Sequence, residues 1–208
     1  MAGAIDTLNS LARRVPIWSV YLLLALPIPW FFYQGLNGGL GRDPVKGLEH
    51  LYGLWALRLL IAGLIVTPLR RTLGLNLLRF RRAIGVMTFV YALAHLTVWA
   101  VLDVQTLSRV WADILKRPYI TIGMAGFLCL IPLAATSNSW SLRKLGARWR
   151  KLHRLTYVAA LLVFPQTRAE QVGIDAVLAA VFAANWHFAF LGADPFAGPM
   201  SASPLLHF

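Results

Sequence analysis

Acidic side chains are scarce in this sequence. Eight Asp and Glu face twenty Lys and Arg in 208 residues, and charged residues of both signs make up only 13%. Soluble globular domains carry about 25% charge, so a large soluble domain is excluded. There is one cysteine, Cys129. It rules out an intramolecular disulfide and the usual thiolate metal sites. Its setting, FLCLIPL, suits a small buried hydrophobe. Internal repeats and low-complexity linkers are missing as well. Acids are nearly absent from the apolar runs, with Asp103 and Asp175 near the ends of theirs, so no transporter-like proton or ion relay stands out.

What the chain has instead is apolar length. It is 58% hydrophobic, with a mean hydropathy of +0.63. A spanning helix needs roughly 20 mostly apolar residues. Such runs are expected at 17–34, 48–68, 83–102 and 118–136, with a fifth starting near 151 and a sixth at 174–191. The expected fold is all-α: a polytopic membrane bundle of about six helices in a single domain over 1–208. The first run follows Arg13 and Arg14 and lacks a clear small-x-small cleavage site. It reads as a helix that stays attached, rather than a cleaved signal.

The net charge of +12 does not require nucleic acid in a membrane chain. Arg13 and Arg14, then Arg70, Arg71, Arg79, Arg81 and Arg82, then Arg143, Lys144, Arg148, Arg150 and Lys151 fall in alternate loops. The intervening loops are more balanced. This alternation predicts that the N-terminus and the basic loops face the cytoplasm. Prolines punctuate the runs. Pro118 suits a first helical turn. Pro68 is expected to close the second helix, and Pro27 and Pro29 to kink the first. The stretch TSNSWSLRKLGARW (136–149) reads as one short amphipathic surface helix opened by capping residues.

Chemistry falls to the histidines. His95 lies in YALAHLTVWA, about 12 residues or ~18 Å into its helix. An ionisable group at that depth suggests a function; the alternative is a neutral imidazole bonded to a carbonyl or a neighbouring helix. His153 opens the fifth helix among Arg150, Lys151 and Arg154, where an interfacial histidine is the plain alternative. His50 and His207 read as an outer-interface residue and a tail residue. Paired histidines on neighbouring helices can hold haem b, a flat apolar disc ligated through imidazole nitrogens. Two ligands at two depths on one helix would be 13 or 14 residues apart, or ~20 Å. His153 therefore asks for a second histidine near 166, where Gln166 stands.

Four stretches carry a family resemblance: GLEHLYGLWALRLLIAGLIVTPLRR (47–71), RFRRAIGVMTFVYALAHLTVWAVLD (79–103), ILKRPYITIGMAGFLCLIPLAATS (114–137) and LRKLGARWRKLHRLTYVAALL (142–162). Together, and in this order, they resemble the MsrQ family. These are the haem-binding membrane subunits of the periplasmic methionine sulfoxide reductase system, in the ferric-reductase-like transmembrane group. The match covers most of 15–162, and KRPYIT and RW-x-x-LHR-x-x-Y are its specific motifs. The resemblance implies a multi-pass protein of the bacterial inner membrane with haem b and, in this family, FMN. It also implies electron transfer from the quinone pool or a cytoplasmic flavin reductase to a periplasmic molybdopterin-containing subunit that reduces oxidised methionines. It assigns haem ligation to His95 and His153. It aligns Arg81 and Arg82 with a basic pair that can face a flavin phosphate, against the plainer reading of an orientation signal.

The chain leaves the family pattern at VFPQTR (163–168), where family members place a second histidine. The apolar run Leu155–Phe164 spans only ~15 Å, against a ~30 Å hydrocarbon core. Either a shifted reading frame or a remodelled end would explain this, and the tail PFAGPMSASPLLHF favours the former. His187 is a conceivable substitute ligand near the level of His153. Two functions follow as expectations: a haem b electron-transfer subunit, or a non-catalytic membrane anchor that has lost its haem site.

Overall fold

The computed structural model describes residues 2–164. The sixth predicted span, Gln166, His187 and His207 lie outside the described residues. Within them the chain is helical, without strands. The order is α1 (Ala2–Arg14), α2 (Ile17–Ala25), α3 (Pro27–Leu36), α4 (Pro44–Leu73), α5 (Arg81–Thr97), α6 (Leu107–Lys116), α7 (Pro118–Ala135), α8 (Ser139–Leu145), α9 (Ala147–Leu152) and α10 (Leu155–Val163). A 3₁₀ turn, Leu78–Phe80, leads into α5, and a π-helical segment, Val98–Val104, continues from it. Among the described residues, four stretches are long and apolar enough to cross a membrane: Ile17–Leu36, Pro44–Leu73, Leu78–Val104 and Pro118–Ala135.

Local chemistry sets these boundaries. Asp43 caps α4 by accepting from the Lys46 N–H at 3.0 Å, with Pro44 in the first turn. Gly74, at φ 71°, ends α4 in the left-handed conformation. Pro68 does not close this helix as expected. It lies inside α4, which runs on to Leu73; membrane helices tolerate such prolines where neighbours re-satisfy the backbone. Pro27 divides the first span into α2 and α3, and Pro118 occupies the first turn of α7, both as expected. The stretch 136–149 is not one helix. Asn138 caps α8 by accepting from the Ser141 N–H at 2.7 Å, and Gly146, at φ 50°, separates α8 from α9. α10 has nine residues among those described.

α4 and α5 form the central pair, and α10 packs on α7. The largest core cluster joins Leu48, Tyr52 and Leu59 of α4 to Met87 and Tyr91 of α5, with Tyr21, Leu24, Ile28 and Phe31 against it. Small residues let α10 approach closely. Ala159 and Ala160 are buried, and a Cβ on Gly126 would come 3.1 Å from Val163 Cγ2. Cys129 is half-buried beside the cluster of Leu130, Leu133 and Ala159. Much apolar surface faces outward, including Leu22, Leu23, Leu128 and Leu161. This is the inverted surface of a membrane protein, whose helices associate by packing rather than by hiding from water.

One end collects a cluster of basic residues, among them Arg71, Arg79, Arg81, Arg82, Arg150, Lys151 and Arg154. Asn9 of α1 donates to the Gly74 carbonyl at 3.0 Å and accepts from the Asn76 N–H at 2.8 Å. Arg79 donates to the carbonyls of Ala12 and Arg13. α1 is thereby tied to the loop between α4 and α5. The opposite end is tied by Lys46, whose ammonium reaches Asp103 at 2.6 Å and Glu49 at 3.2 Å.

Candidate functional site

His95 stands toward the end of α5 away from the basic loops. Its Nδ1 lies 2.8 Å from the backbone carbonyl of Glu49 on α4. A carbonyl only accepts, so Nδ1 carries a proton, and in the neutral tautomer this leaves the lone pair on Nε2. Metal-ligating histidines commonly have their other nitrogen anchored in this way. The same bond is what the plain reading of His95 expected, so it serves either role. Gly53 permits it: a Cβ there would sit 3.1 Å from Nδ1. Among the described residues Nε2 has no hydrogen-bond partner.

His153 caps the C-terminal end of α9, outside the four spans. Its ring stacks on Trp149, with centroids 3.8 Å apart and planes at 24°. Thr136, just past α7, holds both rings. Its carbonyl accepts from Trp149 Nε1 at 2.9 Å, and its hydroxyl meets His153 Nε2 at 3.1 Å. That hydroxyl donates its one proton to the Pro132 carbonyl at 2.6 Å, so it accepts from His153. Nε2 therefore carries the proton and Nδ1 the lone pair. Burial, and then the Arg81 guanidinium, lower the His153 pKa to about 4. The imidazole is neutral at pH 7, the form that binds a metal.

His153 lines a cavity of about 910 Å³ at the basic end. Ligand pockets span roughly 300–1,000 Å³. Leu59, Leu60, Leu130 and Leu133 give it an apolar interior. Gly85 also lines it, and a Cβ there would meet no atom within 4 Å. Arg71, Arg79, Arg81, Arg82, Arg150, Lys151 and Arg154 line it as well, and no carboxylate does among the described residues. Arg81 donates to Thr67 and Arg82 to Ser139, each at 3.3 Å. Leucines, cations and a neutral imidazole lining one cavity fit a flat apolar group with anionic edges, the chemistry of haem.

Arg81, Arg82 and His153 therefore share one site. His95 does not line it. It is 14 positions beyond Arg81 along α5, or ~21 Å at 1.5 Å per residue. The two histidines stand at different depths, and no group of three or more potential metal ligands forms among the described residues. Reading the sequence alone missed the supports: the Glu49 carbonyl, Gly53, Thr136 and Trp149. Only Trp149, one helical turn before His153 in the RW-x-x-LH motif, had left a signal.

Residues 52–164 match the family of the ferric reductase like transmembrane component. A relative from Agrobacterium fabrum (strain C58) is 52% identical over 166 residues, covering 78% of this chain and 77% of its own. One from Brucella ovis is 52% identical over 163 residues, covering 76% and 74%, and one from Brucella suis matches to the same extent. Each is named a protein-methionine-sulfoxide reductase heme-binding subunit MsrQ. No solved structure matches the chain. The chain therefore belongs to the ferric-reductase-like transmembrane family and, within it, to the MsrQ subunits.

Proposed function

We propose that this chain is a haem b electron-transfer subunit of the bacterial inner membrane serving a methionine sulfoxide reductase. The observation that carries the proposal is the basic-end cavity, lined together by a neutral His153, leucines and a set of cations. Bound haem would supply one-electron redox chemistry at its iron. The chain's own residues do the rest. His95 is anchored through Nδ1 and presents Nε2. His153 is anchored through Nε2 by Thr136 and presents Nδ1. The cations neutralise carboxylates or a phosphate, and the leucines keep water away.

In this reading the basic end faces the cytoplasm, as the clustering of basic residues supports. The N-terminus lies on that side with it. Electrons enter from the quinone pool or a cytoplasmic flavin reductase and leave to a periplasmic molybdopterin-containing subunit. Arg81 and Arg82 are the pair assigned here to an FMN phosphate; that both line the cavity, and that a guanidinium fork suits phosphate, support the assignment.

The test is a dithionite-reduced minus oxidised spectrum of the purified chain with haem quantified per polypeptide, repeated for His95→Ala and His153→Ala. The expected result is a b-type spectrum in the parent and lower haem occupancy in both variants. Folded parent protein without haem would favour the non-catalytic anchor instead.

A further inference from the structure

The loop read from its charges as a balanced connector contains a helix, α6, and it carries more apolar surface than the protein covers. At about 100° per residue, Leu107, Val110, Trp111, Ile114 and Leu115 fall on one arc, with Arg109, Asp113 and Lys116 opposite. The protein takes only part of that arc. Val110 and Ile114 are half-buried, while Leu107, Trp111 and Leu115 are 75%, 60% and 79% exposed. These three recur every four residues and form a continuous stripe.

We propose that α6 is an interfacial helix whose Leu107–Trp111–Leu115 stripe lies in the lipid of the leaflet at its end, with Arg109 and Lys116 turned to the phosphates. Three observations choose lipid as the occupant. First, α6 cannot leave the membrane surface: two residues separate it from the span ending at Val104, and Arg117 alone separates it from the span beginning at Pro118. Second, the next span continues with outward apolar side chains, at Tyr119, Ile122 and Leu128. Tyr119 accepts a hydrogen bond from Arg117 at 3.2 Å, an aromatic–cation pair suited to the headgroup level. Third, charges are left over for an anionic surface. Asp113 pairs with Arg117 at 3.5 Å, while Arg109 and Lys116 have no ion pair among the described residues. An amphipathic helix with Trp and Leu on one face and cations on the other binds the interface.

The test uses full-length protein reconstituted in vesicles of phosphatidylethanolamine and phosphatidylglycerol. Single cysteines replace positions 107, 109, 111, 115 and 116 one at a time in a Cys129→Ala background, each bearing a nitroxide. Leu128→Cys is the in-membrane reference. Collision with oxygen, which concentrates in lipid, is compared with collision with a water-soluble nickel chelate. The proposal expects oxygen to dominate at 107, 111 and 115, as at 128, and the chelate to dominate at 109 and 116. Five separate sites preserve the pattern if one variant misfolds. Chelate dominance along the stripe would place it in water and overturn the proposal. Low access to both probes would show it covered by protein rather than lipid and overturn it equally.

Discussion

A single glycine sets how closely His95 lies against α4. A Cβ at position 53 would come within 3.1 Å of Nδ1 and 3.3 Å of Cε1, so the ring has to shift. Gly53→Ala is expected to lower haem occupancy or broaden the reduced spectrum, read by the same difference spectroscopy. Thr136 does comparable work for His153. Thr136→Val keeps the shape but strands the Nε2 donor, which costs about 1–3 kcal/mol; thermal unfolding in detergent checks this. Protonation gives a third prediction. With the His153 pKa lowered from 6.5 to about 4, the unfolded chain binds more protons than the folded chain between those values. This contribution to stability is complete above about pH 6.5 and is lost as pH falls toward 4. The Tm of haem-free protein should drop across that window, and His153→Phe should flatten the drop; equal slopes in both proteins would count against it.

At the level of elements, the first four spans were legible because apolar length needs no tertiary knowledge. Pro118 and Pro27 spoke plainly for the same reason: ring geometry acts locally. Pro68 misled because its effect depends on neighbours that re-satisfy the backbone, and α4 ends instead at Gly74. α6 was hidden by attention to its charges, although its apolar positions already had helical spacing. The break inside 136–149 rests on one residue. Gly146 sits at φ 50°, ψ −121°, where a Cβ is strained by about 1–3 kcal/mol. Gly146→Ala should lower thermal stability by that order and disturb the Trp149–His153 stack, measurable as a change in tryptophan fluorescence. The candidate site was half legible. His95 and His153 stood out as ionisable groups at apolar runs. Their anchors did not, because Glu49 is 46 positions from His95 and Thr136 is 17 from His153.

For the molecule as a whole, the two ends differ in kind. One gathers α1, the α4–α5 loop and the cavity, all rich in arginine; the other holds Lys46 with two carboxylates. The proposed orientation predicts that a membrane-impermeant thiol reagent applied to intact spheroplasts labels Ser108→Cys and spares Ser139→Cys. The vertical offset between the histidines then has an electrical meaning. Some 21 Å of α5 separates the levels of Arg81 and His95, about two-thirds of a ~30 Å core. An electron carried outward over that distance moves with an inside-negative voltage. A full crossing is worth about 2.3 kcal/mol per 100 mV, so this passage collects roughly 1.5 kcal/mol per 100 mV. Under the proposed function and orientation, energised membranes would pull reducing power toward the outer face, and collapsing the voltage would slow its delivery.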